Sequence, residues 1–279
     1  MTLTAEERAV WKRPPERAGR VPVLLYHGIA PASGFESPAD AQYGITREDF
    51  ARQLALLAHA GYEAITIEQF RRFHAGEPAD LPALPVLITF DDARADSWQG
   101  ADGALERQGW TAVMFTDVGA VERGGREYVT WPELVRMRES GRWEIELHAG
   151  RGHRNIRYGE GPRDVGPFYA YRDALADETH EEWRQRAFGD LDWGEERLRR
   201  HLPGFEPRGF APPYGNYGQL RTNDPAIPVE LGAELRRRYG LVFTQEDPRP
   251  AQPGDEDVPR LQITRRMSGG DIHAWLVAA

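Results

Sequence analysis

The run Pro85-Val86-Leu87-Ile88-Thr89-Phe90 closes directly on two adjacent carboxylates, Asp91 and Asp92. A short apolar run bounded by proline and polar residues suits a strand buried on both faces, as a parallel sheet requires. Acids at the C-terminal tip of such a strand lie where α/β barrels and open α/β sheets gather their active sites. Successive strand residues point to opposite faces, so Asp91 and Asp92 are expected to do different work. One suits a metal ion and the other a proton.

The rest of the chain repeats the same unit. Val21 to Tyr26 is a short apolar strand that delivers His27-Gly28 at its tip, and residues 30–44 read as a loop over the site. A helix starts at Thr46, carries Phe50, Leu54, Leu57 and Ala58 at helical spacing, and stops at Gly61. After the small strand Ala64 to Ile67, Thr66 and Gln69 have the spacing of a capping box for the next helix. A helix through Trp98, Leu105 and Gln108 ends at Gly109, and Thr111 to Phe115 returns as a strand. Thr130-Trp131-Pro132-Glu133 combines an N-cap, an early proline and a capping glutamate, and Trp143 to Leu147 follows as a strand tipped by His148.

Beyond a polar stretch from Arg154 to Tyr171, a long helix is expected over 177–201 and an extended segment over 207–213. A helix over 227–239, a strand over 241–244, a strand over 260–264 and a helix from Asp271 complete the chain. Strands alternating with 10–15-residue helices indicate parallel βα units. Together they predict one barrel-like α/β domain over 21–279, preceded by an extended arm over 1–20.

Composition narrows the function classes. A formal net charge of -9 over 279 residues argues against nucleic acid as a partner. No apolar run approaches the ~20 residues of a transmembrane helix. Met1 to Arg20 lacks the apolar core of a secretory signal, so the expected compartment is the cytoplasm as written, or the cell surface for a chain trimmed of its signal. Without cysteine there are no thiolate ligands, and any metal must be held by histidine and carboxylate.

His148-Ala149-Gly150-Arg151-Gly152-His153 supplies two imidazoles, and the glycines between them allow a tight turn that folds the second ring back toward the first. With Asp92 they make a three-ligand set that leaves positions free for water and substrate. His27 is a further strand-tip histidine. His59, His74, His180, His201 and His273 fall in or near expected helices and read as surface residues.

In order and distance, Thr89-Phe90-Asp91-Asp92, His148…His153 and Phe210-Ala211-Pro212-Pro213-Tyr214-Gly215 resemble the first three motifs of the polysaccharide deacetylases, carbohydrate esterase family four. The resemblance spans about residues 21–277, the NodB homology domain. Val23-Leu24-Leu25-Tyr26-His27 and the Pro-Tyr-Gly-Asn-Tyr run are most similar to the branch acting on poly-β-1,6-N-acetylglucosamine.

The resemblance implies a deformed (β/α)7 barrel that hydrolyses N-acetyl groups on an amino-sugar polymer. It implies Asp91 as general base, His27 as general acid, and Asp92, His148 and His153 as ligands of one divalent ion, usually Zn2+, with Co2+ or Ni2+ as substitutes. Tyr214 would offer a backbone N–H to the oxyanion, with Pro213 in a rigid wall beside it. The chain departs from the family pattern at Ala93, where glycine is usual, at Ala211, where many members carry an arginine that orients the base, and in lacking the late Leu-x-x-His motif.

Trp131, Tyr169, Tyr171, Tyr214 and Tyr217 are candidates for stacking on sugar rings or for packing. Two other readings stand beside the deacetylase. One is a metal-independent glycoside hydrolase pairing Asp91 with Glu144 or Glu146. The other is a carbohydrate-binding relative with a dead site. A serine hydrolase finds no Gly-x-Ser-x-Gly.

Overall fold

Thirteen short strands occur among the residues that the computed structural model describes, 3–14, 19–31 and 42–278. In chain order they are β1 (Val23–Tyr26), β2 (Ile29–Ala30), β3 (Ile45–Thr46), β4 (Glu63–Ala64), β5 (Pro85–Phe90), β6 (Ala112–Asp117) and β7 (Trp143–Ala149). Then follow β8 (Asn155–Arg157), β9 (Val165–Pro167), β10 (Gly209–Phe210), β11 (Leu241–Thr244), β12 (Val258–Pro259) and β13 (Leu261–Gln262).

The main sheet runs β12-β11-β10-β7-β6-β5-β1-β13 with every pair parallel, and β4 lies against the N-terminal end of β5. Only Arg260 separates β12 from β13. Residues 258–262 therefore pair β11 at one end and β1 at the other, and the sheet closes into the expected deformed seven-stave barrel.

Two-residue periodicity sorts the strand side chains. Val23, Leu87, Val113, Phe115, Leu241, Phe243 and Val258 pack together inside the barrel. Leu24, Tyr26, Val86, Ile88, Phe90, Met114, Ile145 and Leu147 face outward against the helices. Counting by twos from Leu87 sends Thr89 and Asp91 inward.

Local capping chemistry starts the helices where the sequence places them. The Thr66 and Gln69 side chains box the start of the helix Ile67–His74, and Thr130 with Glu133 does the same for Trp131–Glu139. Thr46 caps Arg47–His59, its hydroxyl accepting from the Asp49 N–H at 3.0 Å.

Three segments differ from expectation. The long helix begins at His180, because Thr179 and Glu182 form its capping box while Asp177 is left-handed (φ 47°). The polar stretch 154–171 contains the antiparallel hairpin β8–β9. In the arm expected to be extended, Ala5–Val10 is a helix boxed by Thr4 and Glu7, and Glu7 pairs with Arg52. Part of that arm and most of the loop expected over 30–44 lie outside the described residues. No described helix is long and apolar enough to cross a membrane.

Candidate active site

Parallel strands bring all their C-terminal tips to one end of the barrel. The tips of β1, β5 and β7 carry His27, Asp91 with Asp92, and His148 to a single cavity, where His153 and Tyr214 join them. Tyr43, Gln245 and Gln262 complete its lining and were missed in the sequence. The two glutamines sit at or just past strand ends, so the rule that singles out His27 also reaches them.

Asp92 turns away from β5 through two successive left-handed residues, Asp92 (φ 77°) and the buried Ala93 (φ 58°). Side chains rarely adopt this conformation, and Ala93 holds it where the resemblance leads one to expect glycine. The turn presents Asp92 Oδ1 to both histidines: His148 Nε2 lies 3.4 Å away and His153 Nε2 3.2 Å away. One ligand atom from each of the three residues falls within 4.8 Å of the others.

A carbonyl can only accept, so the 2.6 Å contact between His148 Nδ1 and the Ala211 carbonyl fixes the proton on Nδ1 and leaves Nε2 with its lone pair. Two imidazole nitrogens and one carboxylate oxygen, one ring already held by a backbone acceptor, fit a divalent ion of the zinc class with positions left open. Burial works against charge on Asp92, but the His148 and His153 side chains facing it outweigh burial and hold its carboxyl well below the usual range. Burial likewise opposes charge on His153, and Asp92 outweighs it, raising the imidazole above its ordinary value.

Asp91, fully buried beside this cluster, faces a different partner. Arg260 donates from Nη1 to Oδ1 at 2.7 Å and from Nη2 to Oδ2 at 2.9 Å, a bidentate fork in the barrel interior. The guanidinium lies over the rings of Phe115 and Phe243, 5.4 and 6.0 Å from their centroids. Burial raises the Asp91 carboxyl, yet the charge and hydrogen bonds of Arg260, with His148 adding to them, bring it below its normal value. A guanidinium from the closing strand thus stands beside Asp91, where Ala211 offers none.

His27 Nδ1 is buried with no hydrogen-bond partner among the described residues, and its ring lies 5.7 Å from that of Tyr43. Burial lowers its pKa, against the pull of Asp92 and Asp91. Ser97 Oγ donates to the His27 carbonyl at 2.8 Å and steadies the tip. Across the cavity, Tyr214 adopts φ 59° and stacks its ring on His153 at 5.1 Å, with buried Pro213 preceding it.

Among the five candidate stacking aromatics, Tyr214 alone lines this cavity. Tyr169, Tyr171 and Tyr217 are core residues, and Trp131 stacks on His201 at 4.0 Å. His273 packs on Trp11 at 5.0 Å. Glu144 accepts the Ile67 N–H at 2.7 Å, and Glu146 accepts the N–H groups of Arg208 and Gly209 at 2.8 and 3.2 Å. Burial pushes Glu146 up to about 7. Neither glutamate lines the cavity, so the acid pair of a glycosidase is not assembled around Asp91.

Fold and site together define a parallel α/β barrel with an aspartate–histidine–histidine cluster at its catalytic end. The polysaccharide deacetylase family matches residues 79–224, just over half the chain, and the chain belongs to that family.

The chain is similar to the poly-beta-1,6-N-acetyl-D-glucosamine N-deacetylase of Escherichia coli (strain K12), 28% identical over 252 residues, covering 84% of this chain and 36% of the relative. It therefore spans about a third of that protein's length. The structure of IcaB from Ammonifex degensii superposes with a TM-score of 0.71 at 26% identity, over 94% of this chain and 98% of that one. A de-N-acetylase from Aggregatibacter actinomycetemcomitans shares the fold with a TM-score of 0.77 at 20% identity, over 92% and 99% of the two chains.

Proposed function

We propose that this chain is a metal-dependent N-deacetylase that removes acetyl groups from an N-acetylglucosamine-containing polysaccharide or a related acetylated amino sugar. The observation that carries the reading is the convergence of both histidine Nε2 atoms on Asp92 Oδ1 with Asp91 beside them, free of the cluster. The similarity to the poly-beta-1,6-N-acetyl-D-glucosamine deacetylase supports the substrate class.

Asp92, His148 and His153 would hold the ion, Zn2+ in the first instance and Co2+ or Ni2+ in its place. When bound, it supplies a Lewis acid for the acetyl carbonyl and lowers the pKa of a water. Asp91, kept ionised by Arg260, takes the proton of the attacking water. The Tyr214 N–H is offered to the oxyanion. His27 delivers a proton to the leaving nitrogen. Burial lowers the pKa of the ring, against the pull of Asp92 and Asp91. Negative charge developing beside it raises that pKa, so the ring takes up a proton from solvent and passes it to the nitrogen as the C–N bond breaks.

Acetate release from N-acetylglucosamine oligomers tests the reading. Release should vanish with a chelator and return with Zn2+, Co2+ or Ni2+, and it should be absent in Asp92→Ala at any metal concentration. Release that persists after thorough chelation would count against the whole scheme.

A pH dependence follows from His153. Its raised pKa means that protonation competes with ligation from above the ordinary ~6.5. Metal affinity should be level in mild alkali and fall as pH drops through that range. Zn2+ titrations between about pH 8 and about pH 5.5 would show the decline; a flat profile would remove His153 from the ligand set.

A further inference from the structure

The two histidines are held by different means. His148 is almost fully buried and tied through Nδ1 to the Ala211 carbonyl. The His153 side chain is 26% exposed, and no hydrogen bond to its Nδ1 occurs among the described residues. A ligating imidazole ordinarily has such a partner, which fixes its tautomer and orientation. Its ring stacks on Tyr214 and meets Asp92, and its backbone is set by the turn between the two ligands and by the Phe168 N–H donating to the Arg154 carbonyl at 3.0 Å.

That turn is clamped from beneath by a carboxylate that the metal chemistry does not use. Asp190, on the buried face of the helix His180–His201, accepts the N–H groups of Gly150, Arg151 and Gly152 at 2.9, 2.7 and 3.2 Å. The Tyr169 hydroxyl donates to the same carboxylate, and the Trp183 indole N–H holds the Tyr169 carbonyl at 2.9 Å. From above, the Gly119 N–H donates to the Gly150 carbonyl at 2.5 Å.

The approach is so close that a Cβ on Gly150 would lie 2.2 Å from the Asp190 carbonyl oxygen. One on Gly152 would lie 2.7 Å from Phe168 Cδ1 and 3.0 Å from Asp190 Oδ2. Gly150 is thus required by the close approach of Asp190, and Gly152 by Phe168 and Tyr169 together with Asp190.

We propose that Asp190 is a positioning residue of the metal site, setting His153 through the Gly150–Gly152 turn it clamps. Three N–H groups converging on one anion form a nest that only an acceptor with several lone pairs can satisfy. An asparagine at 190 has one oxygen and turns an NH2 toward donors. The inference rests on Asp92, His148 and His153 being metal ligands.

The experiment compares wild type and Asp190→Asn for Zn2+ affinity, by competition with a chromophoric chelator, and for the visible spectrum of the Co2+ form. Removing an outer-shell partner typically weakens a metal by 10–100-fold. We expect a loss in that range together with altered Co2+ bands. Equal affinity and identical Co2+ spectra in wild type and variant would overturn the role of Asp190 while leaving the ligand set intact. A wild type that takes up neither ion would overturn the ligand set, and this inference with it.

Hydrogen exchange on metal-free wild type keeps the test decisive if the variant does not fold. The amides of Gly150, Arg151 and Gly152 should be strongly protected before any ion is added. Exchange at free-peptide rates would mean that the clamp does not exist without metal, which also overturns the proposal.

Discussion

Asp91→Asn should bind Zn2+ as tightly as the wild type and release acetate roughly 10²–10⁴-fold more slowly, the span ordinarily supplied by one positioned acid or base. Asp91 and Asp92 are neighbours in sequence but have separate partners. Both Asp91 oxygens lie on the Arg260 fork, whereas Asp92 Oδ1 faces the two imidazoles. An asparagine at 91 fits the same space and can still accept one N–H from Arg260, but it cannot take a proton from water. Asp92→Ala should fail in the opposite way, losing the ion first and activity as a consequence. Zn2+ affinity and single-turnover acetate release, measured on both variants, separate the two roles. An Asp91→Asn variant that turns over at the wild-type rate would remove Asp91 as the base.

That the two carboxylates face different partners was legible from alternation at the end of one strand, whereas the left-handed turn through Asp92 and Ala93 that aims Asp92 at the histidines was not. Most of the frame was legible for a similarly local reason. Thr66 with Gln69 and Thr130 with Glu133 start their helices by contacts three residues apart, visible in any window of the sequence. The same signal at Thr4 and Glu7 passed unread because the proline-bearing, mixed-charge composition of the arm outweighed it.

The residues that sequence reasoning missed at the site are those whose meaning is long-range. Arg260 lies 169 residues from Asp91 and reads as the polar edge of a short strand. Asp190 falls among Trp183, Ala187 and Leu191 on the buried face of a helix, and nothing local says that its carboxylate serves a turn 38–40 residues earlier. The tyrosines were open to either stacking or packing from sequence, and burial assigns Tyr169, Tyr171 and Tyr217 to packing in the core.

Arg260→Leu is expected to have the second large effect, this time on stability. It leaves the Asp91 carboxylate buried in the barrel without its counter-charge, and breaking a buried pair from one side costs about 3–5 kcal/mol. In the wild type the lowered pKa of Asp91 stabilises the fold above the unfolded carboxyl value of about 3.9, a contribution lost as pH falls through the still lower folded value. With Arg260 gone, burial is the largest influence left and pushes the pKa up. The variant's deficit should therefore be greatest near neutrality and narrow in mild acid, where Asp91 takes up a proton. For the same reason its residual activity should shift to higher pH. Arg260→Lys keeps the charge and loses the planar fork, so it should fall between the two. Replacing both partners, Asp91→Leu with Arg260→Leu, should recover much of the stability, because a buried pair exchanged for apolar residues is often neutral or better, while restoring no acetate release. Denaturant unfolding of the four proteins near pH 7 and in mild acid resolves these outcomes. A single Arg260→Leu variant as stable as the wild type at neutral pH would show that Asp91 does not depend on the fork.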